Sequence, residues 1–305
     1  MPATHPRLAV LLAAAVVLFW GTAATAFEIA LRQVTPYQLL VWSSAVSALV
    51  LALILALRGG LAGLRSMPRP ALLRAALLGV LNPFLYYLIL FAAYDRLPGQ
   101  IAMALNYGWP LVLALLAVPV LGQPLSRRQL AAIAVSFAGA VLIVTGGQLG
   151  FAGGLDPLGI ALALGSTVIW AGFWLVNARD GSDPAAKLLL GFAVGVALAV
   201  LAGLAGLGGA DALACPPAAA WPALVYVGLF EMGVTFVLWL TALQWSDSAA
   251  RLGQLVYLAP FLSLLFLHLV VGEPIQGTTP VGLALIVGSI LWQAGARPAP
   301  RPAGR

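Results

Sequence analysis

Two related stretches of nineteen residues carry most of the information about the fold of this chain: NYGWPLVLALLAVPVLGQP at 106–124 and VYLAPFLSLLFLHLVVGEP at 256–274. They lie 150 residues apart, and each has a tyrosine, a proline three residues later and a Gly-x-Pro that ends an apolar run. Proline and glycine interrupt helices, so each stretch reads as an apolar helix with a break near both ends. We therefore expect the chain to use one helical unit twice.

The composition of the whole chain is that of a membrane protein. Of its 305 residues, 62% are apolar and 8% are charged, and the mean hydropathy is +1.04. Soluble domains have roughly 45–50% apolar and 25% charged residues. A soluble fold of this length cannot bury so much apolar surface, whereas about 20 apolar residues cross a bilayer core. The fold class we expect is an all-α membrane protein.

Apolar runs between Arg, Pro, Gly and acidic breaks predict ten transmembrane helices. The runs are 8–30, 37–57, 72–94, 100–121, 129–147, 157–177, 188–208, 222–244, 252–271 and 280–296. A cleaved signal peptide is the alternative for the first run, because residues 22–26 are small.

The basic residues predict the orientation of these helices. With a cytoplasmic N-terminus, thirteen Lys and Arg fall on the inner side, and only Arg32 and Arg96 fall outside. Such a bias indicates that the N- and C-termini are both cytoplasmic, in a multi-pass protein of the cytoplasmic (inner) membrane. The net charge of +6 is then a topology signal, and no nucleic-acid partner is expected.

The second half of the chain repeats the first. The matches are Trp20 with Trp170, Tyr107 and Pro110 with Tyr257 and Pro260, Gly122-Gln-Pro124 with Gly272-Glu-Pro274, and, at an offset of 149, Gly79-Val-Leu-Asn82 with Gly228-Leu-Phe-Glu231. Each half carries five spans, an odd number, so the second half enters the membrane upside down. We expect two inverted repeats, 1–150 and 151–305, with a substrate site between them near the midplane.

Two such repeats resemble the drug/metabolite transporter superfamily and its EamA-type ten-span transporters. The resemblance rests on the Pro and Gly-x-Pro of each half and on glycine-rich last helices, with Gly139 in one half and Gly282 and Gly288 in the other. It covers nearly the whole chain and implies a transporter without enzymatic activity. In its many aromatic residues and the absence of buried basic residues, the chain is most similar to the aromatic amino-acid and paraquat exporters.

Glu231 lies near the middle of the eighth predicted span, where a carboxylate is costly and tends to face a cavity or a partner. It could take up a proton, which would couple transport to protons, or bind the ammonium group of a substrate; the alternative is a structural carboxyl. Asn82 holds the matching place in the third span. By helical spacing Tyr86 shares a face with Asn82, and Trp239 shares one with Glu231. Two such faces predict a cavity, although Asn82 could equally join helices.

The prolines and tyrosines of the two quoted stretches are further candidates. Pro110 and Pro260 each remove a helical hydrogen bond, and we interpret them as hinges, with static kinks as the alternative. Tyr107 and Tyr257, three residues earlier, could close over a ligand.

Several tryptophans lie deep inside the predicted spans, among them Trp20, Trp170 and Trp174. A pocket walled by such rings suits an aromatic or flat apolar substrate, with cation–π contact to an ammonium group. The alternative is that these rings only pack the helices.

Other chemistries have no motif in the chain. His5 and His268 are far apart, and no metal-ligand cluster, phosphate-binding loop or serine-hydrolase elbow occurs in the sequence. We expect no metal, no cofactor and no catalytic residues.

The sequence thus predicts a secondary transporter that exports small amphipathic metabolites, most of all aromatic amino acids, by alternating access. The expected partners are a small-molecule substrate and the lipid bilayer. A multidrug exporter of lipophilic cations with Glu231 as counter-ion, and a channel-like facilitator, are the alternatives.

Overall fold

The computed structural model of the chain describes residues 5–94, 96–97, 102, 105–148, 156–180, 182–271, 275 and 277–294, and every regular element within them is helical. The first half contains α1 (Pro6–Leu31), α2 (Pro36–Leu57), α3 (Leu61–Ser66), α4 (Arg69–Gly79), a π segment (Val80–Leu85), α5 (Tyr86–Tyr94), α6 (Trp109–Leu121) and α7 (Arg127–Thr145). The second half contains α8 (Pro157–Arg179), α9 (Pro184–Leu204), a 3-10 turn (Ala218–Ala220), α10 (Trp221–Tyr226), a π segment (Val227–Gly233), α11 (Val234–Trp245), α12 (Ala249–Leu255), a 3-10 turn (Val256–Leu258), α13 (Ala259–Val271) and α14 (Thr279–Ala294).

The prediction of an all-α membrane protein is confirmed for these residues. Eight continuous helical stretches are long and apolar enough to cross a membrane, and two shorter apolar helices, Trp109–Leu121 and Thr279–Gln293, accompany them. Several boundaries differ from the prediction by two to four residues, and two differences change the placement of a residue. Helix α6 begins only at Trp109, after a turn at Tyr107 and Gly108. Helix α9 begins at Pro184, so Lys187 lies inside the helix and not in a loop.

Local sequence explains where several helices begin. Thr35 and Ser126 each start a helix with a capping box, in which the hydroxyl accepts from the amide three residues later and a Gln side chain bonds back. Asp156 and Asp183 cap α8 and α9, and each is followed by a proline, whose missing N–H costs nothing in the first turn. Gly122 ends α6 with φ of 66°, a left-handed conformation that favours glycine. The Gly272-Glu-Pro274 match lies outside the described residues.

The helices of the two halves pack against each other in an exchanged manner. Helix α1 packs on α11 and α13, and its counterpart α8 packs on α5 and α6. Helix α2 packs on the Val227–Gly233 segment, and α9 packs on α4 and the Val80–Leu85 segment. The last helices of the two halves, α7 and α14, pack on each other. The core of the molecule is therefore built between the halves rather than within each one.

Close backbone contacts give the relative directions of these helices. A Cβ added to Gly79 would lie 2.2 Å from the Gly191 carbonyl oxygen, and one added to Gly195 would lie 2.5 Å from Pro83, so α9 and the third span run parallel. A Cβ added to Gly228 would meet Ser43, and one added to Gly233 would meet Ser47. Helix α2 and the eighth span are therefore also parallel.

Helices α7 and α14 run in opposite directions. The hydroxyls of Ser136 and Ser289 are 2.6 Å apart, and a Cβ on Gly139 would meet Ile286 at 2.9 Å. Further along α7, Ile143 lies against Gly282, so residue numbers rise on one helix as they fall on the other.

Candidate functional site

The two matched polar positions, Asn82 and Glu231, both lie in π segments. The segment at Val80–Leu85 contains Pro83, and Asn82 has an extended backbone with φ of −148° and ψ of 125°. The segment at Val227–Gly233 contains Glu231. Like the first π segment, it leads directly into an α-helix, which here begins at Val234. Single π turns inside α-helices occur frequently at functional sites.

A cavity of about 200 Å³ lies beside Glu231, in the middle of the bundle and toward the face at which α1 ends. Its aromatic walls are Trp20, Phe27, Tyr86, Tyr87, Tyr107, Trp109 and Trp170. Its polar side chains, apart from the tyrosines and tryptophans, are Asn106, Glu231 and Ser263. Ala23, Leu90, Val256 and Ala259 complete the lining.

Three lining tryptophans, with the buried Trp239 packed behind them, form a cluster at one end of this cavity. The rings of Trp20, Trp109, Trp170 and Trp239 form five pairs with centroids 5.5–6.3 Å apart. All five pairs are tilted or edge-to-face, and edge-to-face is an arrangement that aromatic quadrupoles favour. Trp239 is completely buried, so the cluster separates the cavity from the face at which α1 begins.

Glu231 presents a carboxyl to the cavity while its backbone is held in place. Its carbonyl oxygen accepts a hydrogen bond from Trp20 Nε1 at 3.2 Å, which links the eighth span to α1. The side chain is 8% exposed, and Oε2 has no hydrogen-bond partner among the described residues. A buried polar atom without a partner is costly unless water or a ligand pairs with it.

A chain of hydrogen bonds runs along another wall of the cavity. Tyr86 Oη donates to Asn106 Oδ1 at 3.4 Å, and Asn106 Nδ2 donates to Ser166 Oγ at 3.0 Å. Ser166 in turn donates to the Ala163 carbonyl at 2.6 Å. These bonds fix the Asn106 amide and the Tyr86 phenol in the cavity wall, because three separate elements of the chain share them.

The structure brings five of the nine predicted binding residues to this cavity: Trp20, Tyr86, Tyr107, Trp170 and Glu231. The other four, Asn82, Trp174, Trp239 and Tyr257, are completely buried and do not line it. Trp174 lies behind Trp170 and packs edge-to-face on Phe236, with ring centroids 4.8 Å apart.

The two predicted hinge prolines lie at helix starts. Pro110 is the second residue of α6, and Pro260 is the second residue of α13, directly after a 3-10 turn. At Pro110 the missing N–H falls in the first turn after Gly108, where the helix does not use it, whereas Pro260 lies inside the continuous helical stretch Ala249–Val270. Their role as hinges stays a prediction.

Sequence reasoning missed several lining residues, most clearly Trp109, Asn106 and Tyr87. The available signal was a polar atom inside an apolar run, as in Tyr86, Tyr87 and Asn106. Because these spans are apolar on all sides, spacing alone does not show which side faces a cavity.

Ion pairs outside the spans join helix ends, Arg96 with Asp156 and Arg74 with Asp180. The Arg96 guanidinium donates to Asp156 at 3.1 Å and lowers the pKa of that carboxyl. At the turn after α8, burial raises the pKa of Asp180, but hydrogen bonds from Ser182 and the charges of Lys187 and Arg74 outweigh it, and the pKa lies below its usual range.

The same turn is held by a buried lysine, so the expectation of no buried basic residue was wrong. Lys187 is 4% exposed, and its Nζ donates to the carbonyls of Asn177 at 2.7 Å and Asp180 at 2.5 Å. Gln244, at the end of α11, donates to the Asp180 carbonyl at 3.0 Å. The turn between α8 and α9 is thereby tied to α11 at the face where α1 begins.

Three proteins of known sequence are similar to this chain. The aromatic amino acid exporter YddG of Ancylobacter novellus is 29% identical over 212 residues, which cover 69% of this chain and 72% of that protein. The uncharacterized transporter YvbV of Bacillus subtilis is 24% identical over 218 residues (69% and 68%). Protein PecM of Dickeya dadantii is 26% identical over 263 residues (80% and 82%).

A solved crystal structure has the same fold. It superposes with a TM-score of 0.81 at 26% identity, and the match covers 95% of this chain and 97% of that one.

The family comparison agrees with the apolar helices and with the cavity between them. The model of the EamA-like transporter family matches twice, at residues 7–145 and 157–293. A transporter of this type works in a lipid membrane on a small-molecule substrate. Since the two matches span most of the sequence, this multi-pass membrane protein belongs to the EamA-like transporter family.

Proposed function

We propose that this chain is a secondary transporter that exports small amphipathic metabolites, preferentially aromatic amino acids, by alternating access. The observation that carries the proposal is the cavity with aromatic walls and a carboxyl at Glu231. An aromatic side chain gains from offset or edge-to-face contact with such walls. The ammonium group of the same solute would meet the carboxylate or the faces of the rings. The likeness to an aromatic amino acid exporter supports this cargo.

The proposed architecture is ten transmembrane helices in two inverted repeats, 1–150 and 151–305, with both termini cytoplasmic in the inner membrane. The exchanged packing of α1 and α8 supports a twofold relation between the halves. The helix directions support the inversion, since α2 is parallel to the eighth span and α7 is antiparallel to α14. The family model also matches each half separately.

The size of the cavity favours a metabolite over a drug. Its volume is about 200 Å³, whereas pockets that bury drug-sized ligands measure roughly 300–1,000 Å³. An export route for lipophilic cations stays the second candidate, because Glu231 contributes a carboxyl and the described lining contains no Lys, Arg or His. The buried tryptophan cluster favours a gated transporter over a continuous channel, since it leaves one side closed.

The test is counterflow into proteoliposomes that contain the purified protein. Radiolabelled L-phenylalanine should exchange against internal L-tryptophan, weakly against L-alanine, and should accumulate transiently above its external concentration. Exchange against tetraphenylphosphonium alone would favour the cation exporter, and flux without accumulation would favour a facilitator. Protein-free liposomes provide the background, and runs at pH 6 and 8 measure proton dependence.

A further inference from the structure

A groove lies on another side of α1, away from the cavity described above. It measures about 380 Å³, lies between α10 and the end of α13, and shares no lining residue with that cavity. Its lining residues are Thr22, Thr25, Ala26, Ile29, Pro222, Ala223, Tyr226, Phe266 and Val270. Sites that bind small ligands measure roughly 300–1,000 Å³, so the groove is large enough for one.

The groove opens sideways, toward the lipid. Its floor is formed by the buried residues Thr25, Ala26 and Ala223, whereas Ile29 and Val270 on its rim are exposed. All of its lining residues belong to helical stretches that are long and apolar enough to cross a membrane. The exposed rim therefore lies among acyl chains, and a molecule that fills the groove comes from the bilayer.

One hydroxyl of the groove has no partner within the protein. Thr25 is 7% exposed, and its Oγ1 is buried and makes no hydrogen bond among the described residues. Other threonines inside these helices donate to the carbonyl three or four residues earlier, as Thr22 does to Phe19 and Thr241 to Val237, each at 2.7 Å. Because Thr25 does not make this bond and lines the groove, it can donate to an acceptor atom of a bound molecule.

The other two hydroxyls of the groove are already donors within the protein. The proton of Thr22 goes to the Phe19 carbonyl, so in the 2.7 Å contact between Thr22 Oγ1 and Tyr226 Oη the phenol is the donor. Among the described lining residues, Thr25 is thus the donor that is left for a ligand. This pattern suits a molecule that is mostly apolar and carries an acceptor oxygen.

A positive charge lies beyond the groove on the same side of α1. Positions 22, 25, 29 and 32 follow helical spacing, and Arg32 is the exposed C-cap residue of α1. It lies about 10 Å along the helix from Thr25, which places it at the end of the span, where lipid headgroups lie. A guanidinium binds phosphate with two parallel hydrogen bonds.

We propose that this groove binds a glycerophospholipid of the leaflet at which α1 ends. One acyl chain fills the groove, an ester carbonyl accepts from Thr25, and the phosphate contacts Arg32. The two residues follow one another toward the membrane surface in the same order as the ester and the phosphate of a lipid. Because α1 belongs to the first half of the chain and α10 and α13 to the second, the bound lipid joins the two halves.

Native mass spectrometry of the full-length protein in detergent tests the site, with palmitoyl-oleoyl phosphatidylglycerol as the probe. Thr25→Val removes the hydroxyl at nearly constant shape, and its control is Thr241→Val, outside the groove. Ala26→Leu fills the floor, and Ala223→Leu is a second filling variant should the first not fold.

The charge has its own pair of variants. Arg32→Gln removes it, and Arg58→Gln is the matched control, because Arg58 is the exposed C-cap residue of α2 at the opposite face.

We expect the most tightly bound lipid to lose affinity about two- to tenfold in Thr25→Val, the net effect of one neutral hydrogen bond. Arg32→Gln should lose about fivefold, since a basic residue near the headgroups contributes about 1 kcal/mol. The filling variants should lose about tenfold or more, because the acyl chain would overlap the added atoms. Both controls should bind as the parent does.

Unchanged affinity in Thr25→Val and in the filling variants, or equal losses in the controls, overturns the proposal, because the lipid then only coats the helices. Release of the lipid by added L-tryptophan also overturns it, since the groove would then hold the cargo. These readouts involve no transport, so their failure is distinct from a failure of the counterflow experiment.

Discussion

At the scale of single residues, the carboxyl of Glu231 is the acidic group in the cavity lining, and we expect it to contact the solute. Its Oε2 has no partner among the described residues, and the side chain is only 8% exposed. The unpaired oxygen supports the proposal that position 231 contacts a ligand, with a structural carboxyl as the alternative.

Glu231→Gln should reduce counterflow of ammonium-bearing solutes by about tenfold or more, because a hydrogen bond to a charged group contributes roughly 1.5–3 kcal/mol. The amide keeps the shape of the side chain, so the melting temperature should stay near that of the parent. Asp156→Asn, outside the cavity, is the control and should transport normally. Equal transport by Glu231→Gln and the parent would remove Glu231 from the mechanism.

Trp170 and Trp174 are neighbours on α8 that differ in their relation to the cavity. Trp170 lines it, and Trp174 is completely buried behind it, with ring centroids 5.6 Å apart. Trp170→Phe should raise the apparent KM for aromatic solutes about two- to tenfold, since aromatic contacts contribute about 0.5–1.5 kcal/mol. Trp174→Phe should lower thermal stability and leave KM unchanged. Equal KM effects in the two variants would contradict the assignment.

At the scale of helices, the α7–α14 contact depends on two glycines. A Cβ on Gly139 would lie 2.7 Å from the Gly282 carbonyl oxygen, and one on Gly282 would lie 2.6 Å from that of Gly139. Both obstacles are backbone atoms, so the helices themselves would have to separate.

Gly139→Ala should therefore destabilise the protein by about 1–3 kcal/mol, the usual cost of overpacking. Gly288→Ala on α14 is the matched control, because nothing lies within 4 Å of the added atom. That control should be unchanged or about 0.5–1 kcal/mol more stable, since alanine favours the helix. Unfolding in detergent measures both, and equal stability of the two variants would show that the helices do not pack at these glycines.

The turn between α8 and α9 should make stability depend on pH. The pKa of Asp180 lies below its usual range, so this carboxyl stabilises the fold above about pH 4, its ordinary value. That contribution is lost as the pH falls from there through the lowered pKa. Asp180→Asn should flatten the acid side of a melting-temperature profile between pH 3 and 7. Asp247→Asn changes an exposed carboxyl in the connection between α11 and α12 and should keep the parent profile. If both variants keep it, the turn contributes no pH dependence.

At the scale of the whole molecule, the proposed orientation can be checked with the native cysteine. Cys215 is exposed in the connection between α9 and α10, which the ten-span topology places outside the cell. A membrane-impermeant maleimide should label it in intact cells. Asp247→Cys in a Cys215→Ser background should be labelled only after permeabilisation. The reverse pattern would invert the orientation.

Much of the fold followed from local patterns. Apolar runs such as 37–57 and 157–177 coincide with helices to within two residues, because hydropathy and capping residues such as Thr35 and Asp156 act locally. The π segments were not predicted, although Pro83 and the polar residues at 82 and 231 were signals of irregular backbone. The site was predicted in part, since Trp174 and Trp239 follow the same spacing as Trp170 and Glu231 yet face away from the cavity.

The sequence by itself determined that this chain is a helical membrane protein of the EamA type, because burial of so many apolar residues requires lipid and the repeated proline and glycine breaks recur at one offset. Only the tertiary structure decided which aromatic and polar side chains share a cavity. In helices that are apolar all round, the inward face is set by packing against helices from the other half of the chain, and that packing depends on contacts more than a hundred residues apart, such as Trp20 with Glu231.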